Sequence, residues 1–456
     1  MGAFFLLWKK YPEIKLFKLV IKKNIDIKTC IFYFIFDEIM VNITKLHALE
    51  VLDSRGNPTV EVSMTIDNQR TGRAIVPSGA STGSHEALEL RDGDAKRYGW
   101  KGTLKAVANV NEAISSAVIG KDFDSLATFE QTLIDLDGTP NKSKLGANAI
   151  LACGMAYAQA DAQKNGKRLY EYLGNQDSCV MPVPYMNIIN GGAHADNGLD
   201  FQEFMIIPQW ASSFHEGLRM GAEVFHTLKK LLKAQWLATS VGDEWWYAPN
   251  IRSNREALDL VIKAIQDAGY TTDQIKIGLD VASTEFFKDG KYNISGEWKI
   301  LTPKEMAQYY LDLVKDYPIV SIEDGFSEDD FEGWSFFESM NPGIRTVGDD
   351  LYVTNVQRLE QWIAQKLSNS ILIKLNQIGS VTETLKTIKL AHDNNMHSII
   401  SHRSGESEDT FIADLAVAVN SGYIKTGSLS RTDRIAKYNQ LLRIEQQLGS
   451  KAKYGK

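Results

Sequence analysis

Five short apolar runs in the second half of the chain each carry, at or near their end, a residue that can do chemistry. The runs occupy residues 277–280, 319–324, 346–350, 371–374 and 399–403. Their candidate reactive residues, in chain order, are Asp280, Glu323, Asp349, Lys374 and His402. Carboxylates are ligands that hard divalent cations prefer, and a lysine that has lost its proton is a base. Three carboxylates followed by a lysine therefore predict a divalent cation held next to a base.

The length and spacing of these runs indicate which elements position them. Continuous apolar runs are typical of parallel strands that are buried on both faces. The candidate residues of successive runs lie 43, 26, 25 and 28 positions apart. A strand with its crossover helix and two loops needs about 25–40 residues. We therefore predict an α/β fold whose βα units close into an eight-stranded barrel, with the active site at the carboxyl ends of the strands.

The composition bounds the class of protein. A chain of 456 residues with 44% hydrophobic and 23% charged residues is typical of a soluble globular protein, here a barrel plus one smaller domain. The formal net charge of −7 argues against nucleic acid as a partner. The three cysteines show neither metal-ligand spacing nor a disulfide framework, which favours a reducing cytoplasm. No apolar run approaches the roughly 18 residues of a membrane span.

Residues 1–39 differ in character from the rest of the chain. Their three apolar patches are separated by lysines, and none is followed by the small-residue cleavage site of a signal peptide. We interpret Met40 as the true start and residues 1–39 as an artefactual or disordered extension. A helix lying on a membrane surface is the alternative. The mass of the native protein decides between them, since a mature chain beginning before Met40 contradicts the first interpretation.

A small α+β unit is predicted over residues 40–165, ahead of a barrel domain over 178–450. A turn precedes a strand that alternates with period two, and helical periodicity with many alanines predicts helices over 103–119 and 146–164. The loop 77–83 is rich in glycine and serine but lacks the lysine of a P-loop. It is either a mobile connector or a lid whose hydroxyls and amides meet an anionic ligand or its metal.

Eight short motifs, spread from about Met40 to the C-terminus, carry a family resemblance. They occupy residues 53–61, 77–83, 146–151, 187–192, 321–324, 347–350, 374–379 and 401–406. In this order they resemble the motifs of the enolase family, of bacterial type. The resemblance implies a smaller N-terminal α+β domain and a C-terminal barrel with one antiparallel early strand.

The resemblance also implies an activity. It implies a carbon–oxygen lyase that reversibly dehydrates 2-phospho-D-glycerate to phosphoenolpyruvate in glycolysis and gluconeogenesis, with two Mg²⁺ ions in each active site. The small-molecule substrate would be the main partner, in a homodimer or an octamer built of dimers. We expect a cytoplasmic location, with a secreted or cell-surface fraction as a further expectation.

Each candidate residue takes a role from the resemblance. The metal ligands are Asp280, Glu323 and Asp349, with Ser81 for the second Mg²⁺. The catalytic residues are Lys374 as proton acceptor and Glu244 as proton donor, with Glu203 and His402. The residues that bind substrate are His194, Gln202, Glu203, Lys374, Arg403, Ser404 and Lys425, of which Arg403 and Ser404 bind phosphate.

The implied reaction explains why these residue types are needed. The proton removed lies next to a carboxylate, so its removal creates a dianion that must be met by cations already in place. Lys374 must be neutral to accept the proton, although a free lysine has a pKa of about 10.4. Metal ions and the nearby Lys425 are expected to lower the pKa of Lys374. Glu244 must instead hold a proton near neutral pH, which burial or neighbouring anions can arrange.

Ordinary structural interpretations stand beside these roles. A single carboxylate after a strand is most often a helix cap or a solvated loop residue, and a single histidine such as His194 is most often structural. For the whole chain, two alternatives compete with the enolase reaction: a related barrel that dehydrates acid sugars, and an enolase-like protein that binds without catalysis. Arg403 and Ser404 argue against the first, and the intact carboxylates with Lys374 argue against the second.

Tryptophan departs from the family pattern. Glu244 is followed by Trp245 and Trp246 where the family has two glycines, and further tryptophans stand where a small residue is expected, at Trp100, Trp210, Trp236, Trp298 and Trp362. The codons GGA and UGA differ by one base, and some bacterial lineages read UGA as glycine. We hypothesise that most of the tryptophans are mis-decoded glycines, with genuine divergence to an inactive protein as the alternative. Indoles at 245–246 would predict local strain or a displaced loop.

Overall fold

The computed structural model describes residues 40–79, 83–192, 195, 197–242, 244, 246–251 and 253–455. The proposed extension over residues 1–39 lies outside the described residues, and so do Ser81, His194 and Trp245. Within the described part of the chain, none of the helices combines the length and the apolar character that crossing a membrane requires.

A four-stranded sheet forms the centre of the N-terminal domain. Its strands are β1 Val41–Leu52, β2 Pro58–Ile66, β3 Arg70–Ile75 and β4 Asp122–Phe123, in the spatial order β3-β2-β1-β4. The period-two pattern of β2 gives the sheet one covered face, because Val60, Val62, Met64 and Ile66 are buried and the residues between them less so. The predicted strand is confirmed.

Helices cover this sheet. They are α1 Leu104–Asn109, α2 Ser115–Val118, α3 Leu126–Asp137, α4 Ala147–Lys164 and α5 Leu169–Leu173. A π-helical turn, Val110–Ile114, joins α1 to α2. The small side chains of the alanine-rich α4 let it approach β3 so closely that a Cβ at Gly72 would lie 2.0 Å from the Ala156 carbonyl oxygen. Both predicted helices are confirmed, the first with the π turn inside it.

After residue 180, strands and helices alternate. The strands are β5 Val180–Met181, β6 Val183–Asn190, β7 Glu203–Ile207, β8 Lys276–Asp280, β9 Phe287–Lys288, β10 Lys291–Ile294, β11 Lys299–Leu301, β12 Ile319–Glu323, β13 Arg345–Gly348, β14 Ser370–Ile373, β15 His397–Ser401, β16 Gly422–Lys425 and β17 Lys453–Tyr454. The helices are α6 Phe214–Ala234, α7 Asn254–Asp267, α8 Pro303–Asp316, α9 Phe331–Ser339, α10 Val356–Ile363, α11 Leu375–Ile378, α12 Val381–Asp393, α13 Phe411–Ala418 and α14 Thr432–Leu448.

Eight of these strands close into a barrel in the order β6-β7-β8-β12-β13-β14-β15-β16. β7 runs antiparallel to β6 and to β8, and the other neighbouring pairs are parallel. The connection from β6 to β7 has only 12 residues, which suits a reversal better than a crossover helix. The predicted barrel with one antiparallel early strand is confirmed.

The interior of the barrel is filled near the amino ends of its parallel strands. Arg345, the first residue of β13, donates from Nε to the Tyr185 hydroxyl at 2.6 Å, and its guanidinium lies 4.5 Å from the centre of the Tyr423 ring. Polar and aromatic side chains thus close this end, and the open cavity lies at the carboxyl ends.

The N-terminal domain is fastened to the barrel beside these carboxyl ends. Ser78 and Gly405 exchange backbone hydrogen bonds of 2.8 and 2.9 Å. Buried Glu130 accepts from the Val381 amide at 2.8 Å and from the Ser380 hydroxyl at 2.9 Å, where α12 begins. A carboxylate at a helix N-terminus satisfies amides that have no partner inside the helix. These contacts hold Ser78, at the start of the predicted lid, against the mouth of the barrel.

Three of the suspect tryptophans have an unusual backbone. Trp100, Trp236 and Trp298 adopt φ values of 77°, 59° and 56°, and they are 61%, 96% and 88% exposed. The left-handed region costs an ordinary residue about 1–2 kcal/mol and is readily adopted by glycine. An exposed indole gains little packing to offset that cost. These three positions therefore favour the hypothesis of mis-decoded glycines.

The other described tryptophans at positions where a small residue is expected have an ordinary backbone conformation. Trp210 is exposed, Trp362 stacks on Phe331 with ring centroids 4.3 Å apart, and Trp246 is buried with its ring against Gly242. None of the three tryptophans has a positive φ. Because Trp245 lies outside the described residues, the strain expected at this pair stays a prediction.

Replacing Trp236 with glycine should raise the free energy of unfolding by about 1 kcal/mol, since glycine adopts a left-handed backbone readily. Urea unfolding of W236G beside the parent protein measures the difference. Trp334 supplies the control, because it is buried in α9 and W334G should cost about 3–5 kcal/mol. A loss of stability in W236G would contradict the glycine hypothesis here, and so would an indole at this position in peptide mass spectra of the native protein.

Candidate active site

One cavity at the carboxyl ends of the barrel strands gathers most of the predicted site. The predicted residues that line it are Gln202, Glu203, Glu244, Asp280, Asp349, Lys374, His402, Arg403, Ser404 and Lys425. Glu323 is buried and binds Lys425, which does line the cavity. The roles assigned to Ser81 and His194 stay predictions, because both lie outside the described residues.

Three carboxylates stand side by side on neighbouring strands. Glu203 on β7 pairs in register with Asp280 on β8, which pairs with Glu323 on β12. β8 and β12 end at these residues, whereas β7 begins at Glu203. Because β7 is reversed, its first residue lies at the carboxyl ends of its neighbours. Adjacent strands are about 4.8 Å apart, so three ionised carboxylates in this row repel one another.

The Lys425 ammonium offsets part of this repulsion. Its Nζ lies 2.8 Å from Asp280 Oδ2 and 2.8 Å from Glu323 Oε1. Glu203 Oε2 is 3.0 Å away from the same nitrogen. Burial acts to lower the pKa of Lys425, but the surrounding carboxylates raise it well above its ordinary value. This amine is therefore a fixed cation and not a base.

The described lining of the cavity holds more carboxyl groups than basic side chains. Among the described residues that line it, eight bear carboxylates, Glu203, Glu244, Asp280, Glu285, Asp324, Glu328, Asp349 and Asp350, and three are basic, Lys374, Arg403 and Lys425. Burial and neighbouring carboxylates raise the pKa of Glu203 to about 8 and that of Glu323 well above its ordinary value. An excess of carboxylates in a largely buried cavity fits hard divalent cations, which prefer oxygen ligands.

Lys374 follows β14 and faces Asp349. The Lys374 ammonium donates to Asp349 Oδ2, and the Gln377 side-chain amide donates to Oδ1 at 2.8 Å. Burial acts to raise the pKa of Asp349, but Lys374 brings it below its ordinary value. Burial acts to lower the pKa of Lys374, but Asp349 outweighs burial and raises it. In this arrangement Asp349 therefore favours the charged form of Lys374, and the lowered pKa expected beside metal ions stays a prediction.

A further carboxylate cluster lies at the ends of β12 and β13. Asp324, Asp349 and Asp350 each offer an oxygen within 4.8 Å of the others, which makes them a candidate metal-binding group among the described residues. Asp324 accepts from the backbone amides of Asp349 at 2.8 Å and Asp350 at 3.1 Å. Burial and the charge of Asp349 raise the pKa of Asp350 to about 7. Of the three predicted ligands of the first metal, only Asp349 belongs to this cluster.

Glu244 and His402 form a buried polar pair. The His402 Nε2 lies 3.4 Å from Glu244 Oε2, and neither side chain is more than 4% exposed. The His402 amide donates to the Lys425 carbonyl at 2.9 Å, which fixes the histidine beside β16. Burial lowers the pKa of His402 well below its ordinary value, so the imidazole is neutral at pH 7. A neutral imidazole can give a hydrogen bond to a carboxyl group without adding charge.

Arg403 lies next to Ser404 on the cavity wall and is held by the N-terminal domain. Its Nη1 lies 2.9 Å from Glu86 Oε2 and donates to Asn376 Oδ1 at 3.2 Å. Burial acts to lower the pKa of Arg403, but Glu86 raises it. A guanidinium fork at this wall is suited to a phosphate, and the Glu86 carboxylate is the anion that it binds here.

Sequence reasoning missed residues whose roles depend on distant contacts. Glu86 lies 317 positions before Arg403, and no local pattern links the two. Arg434, which contacts His402, is likewise without a local signal. Asp324 and Asp350 did have a local sequence signal, because each directly follows a predicted metal ligand.

Comparison with protein families accounts for both domains. The enolase N-terminal domain matches residues 43–173, and the enolase C-terminal TIM barrel domain matches residues 178–456. The barrel with its single reversed strand, the smaller domain built on a sheet and the carboxylates gathered at the strand ends agree with both matches. The resemblance inferred from short motifs is therefore confirmed, and the chain belongs to the enolase family.

Proposed function

We propose that this protein catalyses the reversible dehydration of 2-phospho-D-glycerate to phosphoenolpyruvate. One observation carries the proposal: a single cavity brings together a lysine, a glutamate beside a neutral histidine, an arginine and an excess of carboxylates. These groups can serve as base, acid, phosphate ligand and metal ligands. The family assignment supports a lyase of the enolase superfamily, and the groups in the cavity favour this reaction within it.

Two Mg²⁺ ions are the proposed cofactors. Asp280, Glu323 and Asp349 would hold the first ion, and Ser81 would contribute to the second. The excess of carboxylates over bases in the cavity supports this assignment. When bound, the ions supply positive charge to the carboxylate end of the substrate, whose negative charge grows as its proton leaves. The fixed ammonium of Lys425 adds a further positive charge beside the same ligands.

Lys374 is the base in this proposal. It takes the proton from the carbon next to the substrate carboxylate, and it must be neutral to do so. The charge of Asp349 opposes this, because it raises the pKa of Lys374. Once Asp349 is engaged as a ligand, burial and the charges of Arg403 and Lys425 act to lower that pKa. Asp349 would thereby link metal binding to the activation of Lys374 as a base.

Glu244 is the acid that protonates the leaving hydroxyl group. Its carboxyl group is buried, as a group that must keep its proton near neutral pH requires. His402 stays neutral beside it and so does not favour early loss of that proton as a cation would. Glu203, whose pKa is raised to about 8, assists on the same side of the cavity.

Arg403 and Ser404 bind the phosphate group in this proposal. The Arg403 fork is held at the cavity wall by Glu86 and Asn376, so its orientation is set before the substrate arrives. Phosphate must share the guanidinium with Glu86 or displace it. The remaining positioning residues are Gln202, Lys425 and His194.

A non-catalytic enolase-like binding protein is the alternative if Trp245 and Trp246 are genuine. Trp246 does not line the cavity, since its ring is buried against Gly242. The indole at this position therefore leaves room for substrate, which weakens the alternative. A barrel that dehydrates acid sugars is disfavoured by Arg403, because such substrates bring no phosphate for its guanidinium.

The proposed reaction belongs to glycolysis and gluconeogenesis, and we propose a cytoplasmic location with a secreted or cell-surface fraction. The proposed assembly is a homodimer or an octamer built of dimers. Light scattering coupled to size-exclusion chromatography measures which of these forms the purified protein adopts.

A coupled absorbance assay for phosphoenolpyruvate tests the proposed function. With 2-phospho-D-glycerate and Mg²⁺ we expect turnover, and chelation of the metal should lower the rate at least about 100-fold, because several kcal/mol of charge stabilisation are lost. D-Glycerate, which lacks the phosphate, and an acid sugar are the control substrates and should not react. Turnover of the acid sugar alone would overturn the proposal in favour of the related barrel. Binding of 2-phospho-D-glycerate without turnover would favour the non-catalytic protein.

A further inference from the structure

Arg434 lies behind the Glu244–His402 pair, in the first turn of α14. Its side chain is fully buried, yet it does not line the cavity. A guanidinium stays protonated at all ordinary pH values and has only donors. A buried arginine must therefore find acceptors, and the acceptors that it finds here indicate what it does.

Three of these acceptors belong to consecutive residues of the site. The Arg434 Nη1 donates to His402 Nδ1 and, at 2.7 Å, to the Arg403 carbonyl. Its Nη2 donates to the Ser404 carbonyl at 2.6 Å. On the other side of the fork, Asp433 Oδ2 lies 3.0 Å from Nε. One side chain thus holds three residues that the proposed function places against the substrate.

The contact at Nδ1 determines the tautomer of His402. Because Arg434 cannot accept a hydrogen bond, Nδ1 must be the acceptor and the imidazole proton must be on Nε2. Nε2 is the nitrogen that faces Glu244, 3.4 Å from Oε2. Burial and the positive charges of Arg434, Lys425 and Lys374 all act against protonation of the ring, and Glu244 acts for it. His402 is therefore neutral, and its Nε2–H faces Glu244.

We propose that Arg434 is a positioning residue that holds His402 neutral, with its Nε2–H facing Glu244, and fixes the backbone of Arg403 and Ser404. The catalytic role of Arg434 rests on the proposed function, whereas the hydrogen bonds that Arg434 makes do not depend on that function. A neutral donor stabilises the Glu244 carboxylate after the proton has been released. An imidazolium would instead draw that proton away before the reaction.

The packing around Arg434 leaves room for this contact. Gly427 has a φ of 77°, and a Cβ there would lie 2.8 Å from Arg434 Cδ and 3.1 Å from His402 Cε1. Glycine at this position lets both side chains lie against the loop that follows β16. Tyr438, one turn further along α14, donates to the Gly427 carbonyl at 2.7 Å and fixes the same loop by a separate bond.

The variants R434K and R434M separate the charge of Arg434 from its fork. Lysine keeps the charge but cannot match the fork geometry, and methionine keeps much of the volume but loses both. We expect kcat to fall about 100-fold in each with a smaller change in KM, since small displacements of positioned groups cost about that factor. Only R434M should show an added loss of kcat in acid, near the ordinary histidine pKa of about 6.5, because His402 then takes up a proton.

Y438F is the matched control. It removes one hydrogen bond between the same helix and the loop after β16, against which Arg434 packs, and it leaves the donor to His402 in place. We expect Y438F to keep the pH profile of the parent protein. An acid loss of kcat in Y438F as large as that in R434M would mean that loop stability, and not the Arg434 contact, sets the state of His402, and the proposal would fail.

Nitrogen-15 NMR of histidine-labelled protein gives a readout that does not depend on turnover. In the parent protein, the His402 signals, assigned by their loss in H402N, should show a protonated Nε2 and a bare Nδ1 between about pH 5 and 8. They should titrate in R434M and stay neutral in R434K.

Two spectral results would overturn the proposal. They are a proton on Nδ1 in the parent protein, and a folded R434M variant whose His402 signals do not titrate. If R434M does not fold, the spectra of the parent and R434K decide. If the parent protein shows the expected tautomer but does not turn over 2-phospho-D-glycerate, the proposed function fails while the hydrogen-bond arrangement stands.

Discussion

Replacing Lys374 with alanine should lower kcat at least about 10⁴-fold and change the KM for 2-phospho-D-glycerate by no more than about threefold. The reason is that a proton next to a carboxylate leaves only when a neutral base lies against it. Among the described residues, Lys374 pairs with Asp349 alone, and a metal ion bound by Asp349 would weaken that pairing. Lys425 is instead fixed among three carboxylates. Steady-state kinetics with saturating Mg²⁺ measures both parameters.

K374R separates the role of base from the role of charge. Arginine keeps a cation beside Asp349 but does not lose its proton at ordinary pH. If Lys374 is the base, K374R should be as inactive as K374A, and exchange of the substrate's C2 proton with deuterium from the solvent should disappear in both. Continued exchange in K374A would show that another group takes the proton. A K374R variant with near-normal kcat would reduce Lys374 to an electrostatic role.

The barrel could be predicted because each strand carries its own signal. The residues of β14 are all buried, and the apolar run that encodes them ends immediately before Lys374. The spacing of such runs gives the order of the βα units, and position at a strand end gives the location of the reactive residue. Spacing did not give the direction of β7. That came from the family resemblance, and its physical cause is the short connection from β6.

Site residues at the ends of strands could be predicted from the sequence. Site residues that are positioned by contacts with distant segments could not. Asp280 and Glu323 fall at the ends of neighbouring strands, so their proximity follows from the topology. Nothing in the sequence indicates that Lys425 places its ammonium between them, or that Glu86 engages Arg403 across the domain boundary. Such contacts depend on packing between segments more than 100 positions apart, which no local pattern records.

Replacing Glu323 with glutamine should lower the affinity for Mg²⁺ at least about 100-fold, and kcat/KM with it, because a carboxylate ligand is lost. In the absence of Mg²⁺ the same change should stabilise the fold by about 1 kcal/mol at pH 7. Glu323 lies in register beside Asp280 and close to Glu203, and one ammonium serves all three carboxylates. Calorimetric titration with Mg²⁺ and urea unfolding without it measure the two effects.

The gain in stability should depend on pH in a definite direction. Burial and the charge of Asp280 raise the pKa of Glu323 well above its ordinary value, so folding disfavours the ionised form. That penalty is absent below the unfolded-state pKa of about 4.3 and grows as the pH rises toward the higher pKa of the folded state. E323Q removes the penalty. Its advantage over the parent should therefore be near zero at about pH 4 and should increase toward neutral pH.

E285Q tests whether crowding or net charge is responsible. Glu285 lines the same cavity but is exposed, and its removal changes the net charge by the same amount. If crowded carboxylates are the cause, E285Q should alter neither the stability without Mg²⁺ nor its pH dependence. Equal gains in both variants would assign the effect to the net charge of the chain. A loss of stability in E323Q would mean that Lys425 needs Glu323 more than the carboxylates repel one another, and the charge argument for a divalent cation at this place would fail.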